Sequence, residues 1–201
     1  FHPMYEMFYR SISQEEARRS LGISGNTLLF FGGIRAYKGL HYLLRAIPRV
    51  LREVPVTLLV TGEFFENKQP YLDEIRKLRI EERVTIVDRY VANEEVALFF
   101  SAADVLITPY VFGPQSGVVV IAYSFGKPVI ATKNLGEVVE EGKTGYLVPA
   151  RDSEKLAEAI IRFYRERDQT DFSGHIEQFR RTHSWQAFCD RIIQEVIRVR
   201  A

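Results

Sequence analysis

Residues 115–118, Gln-Ser-Gly-Val, open an apolar segment with small and polar residues, a pattern that could bind phosphate. Residues 104–108 are typical of a buried strand, and Gly113-Pro114 interrupts the chain after it. A helix that starts just past the carboxyl end of a parallel strand presents unpaired N–H groups and its positive dipole end, and anions bind there. The sequence therefore predicts a phosphate-binding junction within residues 110–132.

Two cations, Arg35 and Lys38, follow the first apolar run and its closing glycines, Gly32 and Gly33. An arginine can fork onto phosphate oxygens, and a lysine acts as a compact charge. A backbone without Cβ also lets a phosphate approach closely. With the amides of the junction, these residues could hold a diphosphate. The alternative is that both cations are solvated charges in a loop.

The sequence motifs typical of several other functions are absent from this chain. The order G-x-G-x-x-G does not follow Gly32-Gly33, and G-x-x-x-x-G-K-[ST] is absent, which disfavours NAD binding and Mg-ATP hydrolysis. Ser116 does not lie in a G-x-S-x-G elbow, so serine-hydrolase chemistry is disfavoured too. The four histidines are scattered and only Cys189 is present, so we expect neither a metal site nor an internal disulfide.

Composition indicates a globular chain with a sizeable core. Of its 201 residues 46% are hydrophobic, the net charge is +1, and no long basic run occurs, so no nucleic-acid partner is expected. No apolar run approaches the roughly 20 residues of a membrane span. The chain begins on Phe1, which leads us to expect that it is a piece of a longer polypeptide.

Apolar strands alternate with amphipathic helices along most of the chain. Ser13 with Glu16 predicts the start of a first helix, Gly22 predicts its end, and Asn93 is a candidate N-cap. Strict alternation predicts a three-layer α/β/α fold with one doubly wound parallel sheet, Rossmann-like in topology. The predicted strands span residues 27–31, 56–60, 84–87, 105–107, 128–131 and 145–148.

Residues 165–201 show a different pattern. Residues 165–183 are charged and poor in aliphatic side chains, and residues 168–174 are a weak candidate for a linker. Residues 185–199 carry apolar side chains along one stripe, which predicts a final amphipathic helix that packs against another surface. We treat the chain as one domain.

In a doubly wound sheet, ligands bind at the carboxyl ends of the strands, near the point where strand order reverses. This rule selects the loops at residues 32–39, 61–66, 88–93, 110–117 and 133–137. Their polar side chains are the candidate ligand contacts: Arg35, Lys38, Glu63, Arg89, Gln115, Ser116 and Glu137.

Taken in order, the motifs of the chain resemble the C-terminal half of family 4 glycosyltransferases. They are Gly-Gly-Ile-Arg-Ala-Tyr-Lys-Gly at 32–39, Val-Thr-Gly-Glu at 60–63, and the segments 84–90, 101–109, 116–132 and 142–149. The resemblance implies the GT-B architecture, in which two Rossmann-like domains face a cleft and the C-terminal one binds the sugar nucleotide. Residues 1–201 would be that domain, and the helix at 184–201 would pack toward an N-terminal domain.

The resemblance also implies roles for individual residues. Arg35 and Lys38 would contact the donor diphosphate and are the catalytic candidates, while residues 88–90 would border the base. The implied donor-binding set is Gly32, Gly33, Arg35, Lys38, Glu63, Asp88, Arg89, Tyr90, Gln115, Ser116, Gly117 and Val118. Many members carry two glutamates where this chain has Gly113 and Ile121, which leaves ribose recognition and the stereochemical outcome open.

By this resemblance the chain is the donor-binding domain of a retaining glycosyltransferase that uses a nucleotide-diphosphate sugar of the UDP or GDP type. The acceptor would be a glycan or lipid-linked sugar, in polysaccharide biosynthesis, reached through an N-terminal domain. Beyond the donor no cofactor or metal is implied, and the expected location is the cytoplasm, with peripheral attachment to the inner face of the membrane allowed. The alternatives are a non-catalytic anion- or partner-binding module, and a sugar-nucleotide epimerase or phosphorylase.

Overall fold

A computed structural model of the chain describes Met4 and residues 12–113, 116–135 and 138–200, with the last five of these as backbone only. Within these residues, six parallel strands form one sheet in the order β3-β2-β1-β4-β5-β6. The strands are β1 (Asn26–Phe31), β2 (Val56–Thr61), β3 (Val84–Val87), β4 (Val105–Thr108), β5 (Val129–Thr132) and β6 (Gly145–Val148). The predicted doubly wound sheet is thereby confirmed, with strand order reversing between β1 and β4.

The helices cover the sheet in two groups. They are α1 (Gln14–Leu21), α2 (Leu40–Leu51), α3 (Gln69–Leu78), α4 (Val96–Ala102), α5 (Gly117–Ser124), α6 (Ser153–Glu166), α7 (Phe172–Thr182) and α8 (Trp185–Arg200). Helix α2 packs against α3 and α6, whereas α1 packs against α4, and α5 against α7. Helices on both faces explain why the central strands are apolar without alternation.

Burial of apolar side chains holds this arrangement together. Leu28, Leu29 and Phe30 of β1 are almost fully buried, as expected for a strand with helices on both sides. In α2 the apolar residues Leu43 and Ile47 lie one turn apart and are completely buried, so this helix packs by one stripe. Each such side chain contributes about 1.5–3 kcal/mol through burial.

The helix ends test the predicted caps. Ser13 Oγ accepts from Glu16 N at 3.2 Å, and Gly22 closes α1 at φ 64°, so both predictions are confirmed. The N-cap predicted at Asn93 is wrong. Residues Asn93–Glu95 form a 3₁₀ turn of their own that precedes α4, and a Glu95 carboxylate oxygen accepts from Ala92 N at 3.2 Å instead. The capping bond therefore comes from the far end of the turn.

Helix α7 was not predicted, and it lies across the segment interpreted as charged and linker-like. Phe172, Ile176 and Phe179 are buried at a spacing of four and three residues, so one apolar stripe suffices to dock the helix. Asp171 caps it by accepting from Gly174 N at 2.9 Å. The low aliphatic content hid this helix because its stripe is largely aromatic. The linker interpretation is therefore wrong.

The final helix α8 is present as predicted. Trp185, Ile192 and Ile193 on it are about half exposed, at 53%, 48% and 56%. The prediction that this helix packs toward an N-terminal domain stays a prediction. Within the described part of the chain, no helix has the length and apolar character needed to cross a membrane.

Candidate functional site

The loops that follow β1 and β4 meet where strand order reverses. Gly39 adopts φ +73°, and a Cβ added to it would lie 2.0 Å from the carbonyl oxygen of Pro109. Val111 N donates to Tyr37 O at 2.7 Å, which joins the same two loops a second time. Backbone contact this close requires a residue without a side chain at position 39. The two loops therefore form one continuous surface at the carboxyl edge of the sheet.

Gly32, directly after β1, lies at the centre of this surface. A Cβ added to Gly32 would lie 2.9 Å from Lys38 Nζ and 3.6 Å from Val118 Cγ2. The backbone of Gly32 also adopts φ +95°, a conformation that favours glycine. The Lys38 ammonium and the first turn of α5 thus converge on a single glycine, and diphosphate binding at this point stays a prediction.

The start of α5 supplies free amides at this point. By helix geometry Gly117 and Val118 have no intrahelical acceptor for their N–H groups. Ser116 precedes them and gives no side-chain cap, and its buried hydroxyl donates to the Tyr110 hydroxyl at 3.3 Å. Burial raises the pKa of Tyr110 to about 12, so this phenol is neutral at physiological pH. The helix start therefore keeps donors and a positive dipole end for an anion.

Lys38 is a buried cation that has no counterion among the described residues. Its exposed fraction is 9%, and among the described residues no carboxylate forms an ion pair with it. Its Nζ lies 5.7 Å from the centroid of the Tyr110 ring. Burial, assisted by repulsion from Arg35, lowers the pKa of Lys38 from 10.5 to about 8. A buried charge of this kind is unfavourable unless an anion joins it.

Arg35 lies on the solvent-exposed side of the same surface. It precedes the 3₁₀ turn Ala36–Lys38, and its side chain is exposed. The guanidinium carbon lies 4.7 Å from the centroid of the Phe65 ring, within range of a cation–π contact. No ion pair to Arg35 occurs in residues 12–113, 116–135 and 138–195. The two cations thus differ, because one is buried and the other is at the surface.

The loop after β3 carries three predicted site residues, and the side chains of two of them, Asp88 and Arg89, have partners. Asp88 pairs with Lys68 at 2.7 Å and accepts from Phe64 N, and the Lys68 hydrogen bond is the main cause that lowers the pKa of Asp88. Arg89 pairs with both carboxylate oxygens of Glu95. Tyr90 is 71% exposed. The side chain of Asp88 is thus bound to the segment after β2, and that of Arg89 to Glu95 nearby in the chain.

The remaining predicted residues have varied outcomes. Glu63 has an exposed side chain, and its carbonyl oxygen accepts from Ile34 N at 2.8 Å. Gly33 lies beneath the Phe65 ring, since a Cβ there would be 2.5 Å from Phe65 Cε2. Gln115 and Glu137 fall outside the described residues. The structure thus brings Gly32, Lys38 and Val118 together, and Ser116 and Gly117 directly precede Val118 in the chain.

Sequence reasoning missed several residues at this edge. The hydroxyls of Thr61 and Thr108 are buried and have no hydrogen-bond partner among the described residues. Thr61 pairs with Phe31 of β1, and Thr108 is the last residue of β4, the strand on the other side of β1. Phe65 and Glu66 were also missed, although two adjacent phenylalanines in a short loop are an unusual signal. Their contacts come from distant parts of the chain, which a local pattern does not show.

Comparison with known proteins identifies the family. The family model described as "Glycosyl transferases group 1" matches residues 25–166, well over half of the chain. This chain belongs to that family. The resemblance seen in the sequence motifs is therefore confirmed.

Two curated relatives illustrate the match. D-inositol 3-phosphate glycosyltransferase of Corynebacterium urealyticum is 28% identical over 192 residues, which cover 90% of this chain and 45% of that protein. Glycogen synthase of Mycobacterium tuberculosis is 33% identical over 137 residues, covering 66% of this chain and 32% of that protein. The chain therefore spans less than half the length of these curated relatives.

Solved structures share the fold. HepE of Anabaena, solved in complex with UDP, superposes with a TM-score of 0.83 at 23% identity, over 98% of this chain and 56% of that chain. The C-terminal domain of a group 1 glycosyl transferase, LpcC of Francisella tularensis, gives a TM-score of 0.75 at 19% identity, over 85% of this chain and 92% of that domain. The topology is thus that of one domain of GT-B glycosyltransferases.

Proposed function

We propose that this chain binds the nucleotide-diphosphate sugar donor of a retaining glycosyltransferase, with the diphosphate at the surface formed by Gly32, Lys38 and the start of α5. The observation that carries the proposal is Lys38, a buried ammonium without a carboxylate partner among the described residues. Its position against Gly32 and Val118 directs it toward the free amides of α5. A diphosphate bound there would compensate the buried charge.

The chemistry follows from where charge develops during glycosyl transfer. When the bond between the sugar and the diphosphate breaks, negative charge grows on the leaving diphosphate. Donors aimed at that charge in a partly dehydrated site stabilise the transition state more than they would in water. Lys38 and the amides of Gly117 and Val118 are placed for this role. Arg35, on the solvent-exposed side, would fork onto the outer phosphate oxygens.

The base and the sugar would lie toward the neighbouring loops. The side chains of Asp88 and Arg89 are paired with Lys68 and Glu95, so we propose that residues 88–90 border the base through their backbone and the exposed ring of Tyr90. The side chain of Glu63 is exposed at the same edge and would line the pocket. HepE, a structural neighbour, has been solved with UDP, UDP and glucose, and UDP-glucose, which supports a UDP-type donor.

Under this proposal, a second domain of the whole enzyme binds the acceptor. Curated relatives are more than twice as long as the matched segment, so the whole enzyme would carry a glycan or lipid-linked acceptor on an N-terminal domain. The chain of residues 1–201 would then bind nucleotide without transferring sugar.

Titration of this chain with UDP, GDP and ADP tests the proposal, with binding followed by calorimetry and stability by thermal unfolding. A nucleotide at 100 times its dissociation constant should raise the free energy of unfolding by about 2.7 kcal/mol. Lys38→Met should remove most of this effect, whereas Lys77→Met, which changes an exposed lysine of α3, should leave it intact. Absence of binding by all three nucleotides at millimolar concentration would overturn the proposal.

One feature favours a second candidate, a non-catalytic module that binds a different anion. Gly113 and Ile121 stand where many relatives carry glutamates, and neither supplies a carboxylate. Incubating the full-length protein with its donor and candidate acceptors separates the two, because only the enzyme forms a glycoside. The anomeric configuration of that product, read by NMR, decides whether the configuration is retained.

A further inference from the structure

The loop that follows β2 is joined to the loop that carries the two cations. Ile34 N donates to Glu63 O at 2.8 Å, and Phe65 N donates back to Ile34 O at 3.1 Å. Ile34 and Phe64 form an isolated parallel bridge at the same point. Residues 63–66, here named the clasp, therefore fix the backbone just before Arg35.

Glu66 of the clasp caps the turn that carries Lys38. Its Oε2 accepts from Ala36 N at 2.8 Å, and Ala36 is the first residue of the 3₁₀ turn Ala36–Lys38. Arg35, at the capping position, gives no side-chain hydrogen bond to the turn. The other carboxylate oxygen accepts from the hydroxyl of Tyr71, which is buried. Both oxygens of Glu66 are thus held, and the cap comes from another loop.

Phe65 of the clasp holds the other cation. Its ring is 57% exposed, lies against the backbone of Gly33 and carries the Arg35 guanidinium 4.7 Å from its centroid. Gly33 is necessary for this contact, since any side chain there would overlap the ring. Phe65 thereby limits the directions that the long Arg35 side chain can take. An ordered guanidinium loses less conformational entropy when it binds a phosphate.

We infer that Phe65 and Glu66 are positioning residues that hold Arg35 and Lys38 in the geometry that recognises the second phosphate of a nucleoside diphosphate. The inference rests on the proposed function. Neither residue needs to touch the ligand. Glu66 acts through the turn that carries Lys38, and Phe65 acts through the Arg35 guanidinium. The preference for a nucleoside diphosphate over the monophosphate should therefore depend on both.

The test uses isothermal titration of the unmodified chain and its variants with UDP and UMP, or with GDP and GMP if the wild type prefers guanine. Phe65→Leu should weaken diphosphate binding about fivefold, the loss expected for an exposed cation–π contact. Glu66→Ala should weaken it by about fivefold or more, because the turn loses a charge-assisted hydrogen bond. Monophosphate binding should change less than about twofold in both variants.

Conservative variants and a double-mutant cycle distinguish a positioning role of the clasp from an effect on overall stability. Phe65→Tyr keeps the ring and Glu66→Gln keeps an acceptor for Ala36 N, so both should restore diphosphate binding to within about twofold of wild type. On the Arg35→Ala background, Phe65→Leu should have no further effect on binding. Glu81→Ala, which changes an exposed carboxylate beside β3, is the matched control and should change nothing.

The outcomes are distinguishable. Wild type that binds neither nucleotide pair would overturn the proposed function together with this inference. Wild type that binds while Phe65→Leu and Glu66→Ala bind as well as it does would overturn the inference alone. Equal losses for diphosphate and monophosphate, in step with a lowered melting temperature, would reduce the clasp to a structural role and also overturn it.

Discussion

Replacing Lys38 by methionine should stabilise the chain in the absence of nucleotide while weakening nucleotide binding. Lys38 is 9% exposed, and no carboxylate among the described residues pairs with it. Methionine keeps an unbranched apolar stem of similar length and removes the ammonium group with its charge. The folded state would then no longer bear the cost of a buried ammonium. Stability and binding should therefore move in opposite directions.

The magnitude follows from the pKa of Lys38, which burial lowers from 10.5 to about 8. Each tenfold change in proton affinity is worth about 1.4 kcal/mol, so the charged form is disfavoured by about 3 kcal/mol in the folded state. Loss of the contact between Lys38 and the Tyr110 ring offsets part of this gain. We expect Lys38→Met to raise the free energy of unfolding by about 1–3 kcal/mol at pH 7.

The effect should depend on pH with a definite sign. Below pH 8 Lys38 is protonated in both the folded and the unfolded chain, so the full cost of burial is present. Between about pH 8 and pH 10.5 the folded chain loses this proton while the unfolded chain keeps it, and wild-type stability rises relative to the variant. The advantage of Lys38→Met should therefore shrink from pH 7 to pH 10.

Urea denaturation at pH 7 and pH 10, in a buffer free of phosphate, measures both quantities. Lys77→Met in α3 is the matched control, and it should change stability by less than about 0.5 kcal/mol at either pH. A Lys38→Met variant that is less stable than wild type at pH 7 would refute the reasoning. So would an advantage that stays the same at pH 10.

Three other measurements test the site and its scaffold. Gly39→Ala should lower the free energy of unfolding in urea by about 2–4 kcal/mol, because its Cβ would overlap the Pro109 carbonyl oxygen and φ is +73°. Asp104→Asn should cost about 2–4 kcal/mol in thermal unfolding, since the carboxylate, with its side chain 12% exposed, pairs with Arg18 at 3.0 Å. Nucleotide affinity, followed by calorimetry from pH 7 to pH 10, should stay constant to about pH 8 and then fall as Lys38 loses its proton.

Much of the fold follows from local patterns in the sequence. Runs such as residues 27–31 are apolar throughout, which indicates a strand with helices on both faces, and all six predicted strands are present. Ser13 and Gly22 set the ends of α1 by local hydrogen bonding and backbone geometry alone. Helix α7 was missed because Phe172, Ile176 and Phe179 form its stripe in a segment otherwise rich in charge. The helix is stabilised by its contacts, which composition does not reveal.

Part of the candidate site also follows from the sequence, and the rest follows only from the tertiary structure. The sequence by itself determined that Gly32, Arg35 and Lys38 follow the first strand and that small residues open α5, because strand and helix order places both at one edge of the sheet. Only the tertiary structure decided that Lys38 is buried, that Arg89 pairs with Glu95, and that Glu66 caps a turn 30 positions away. Burial and the Glu66 cap depend on residues distant in the chain, and the Arg89–Glu95 pair depends on how the segment between them folds. The charge state and direction of a side chain are therefore properties of the fold.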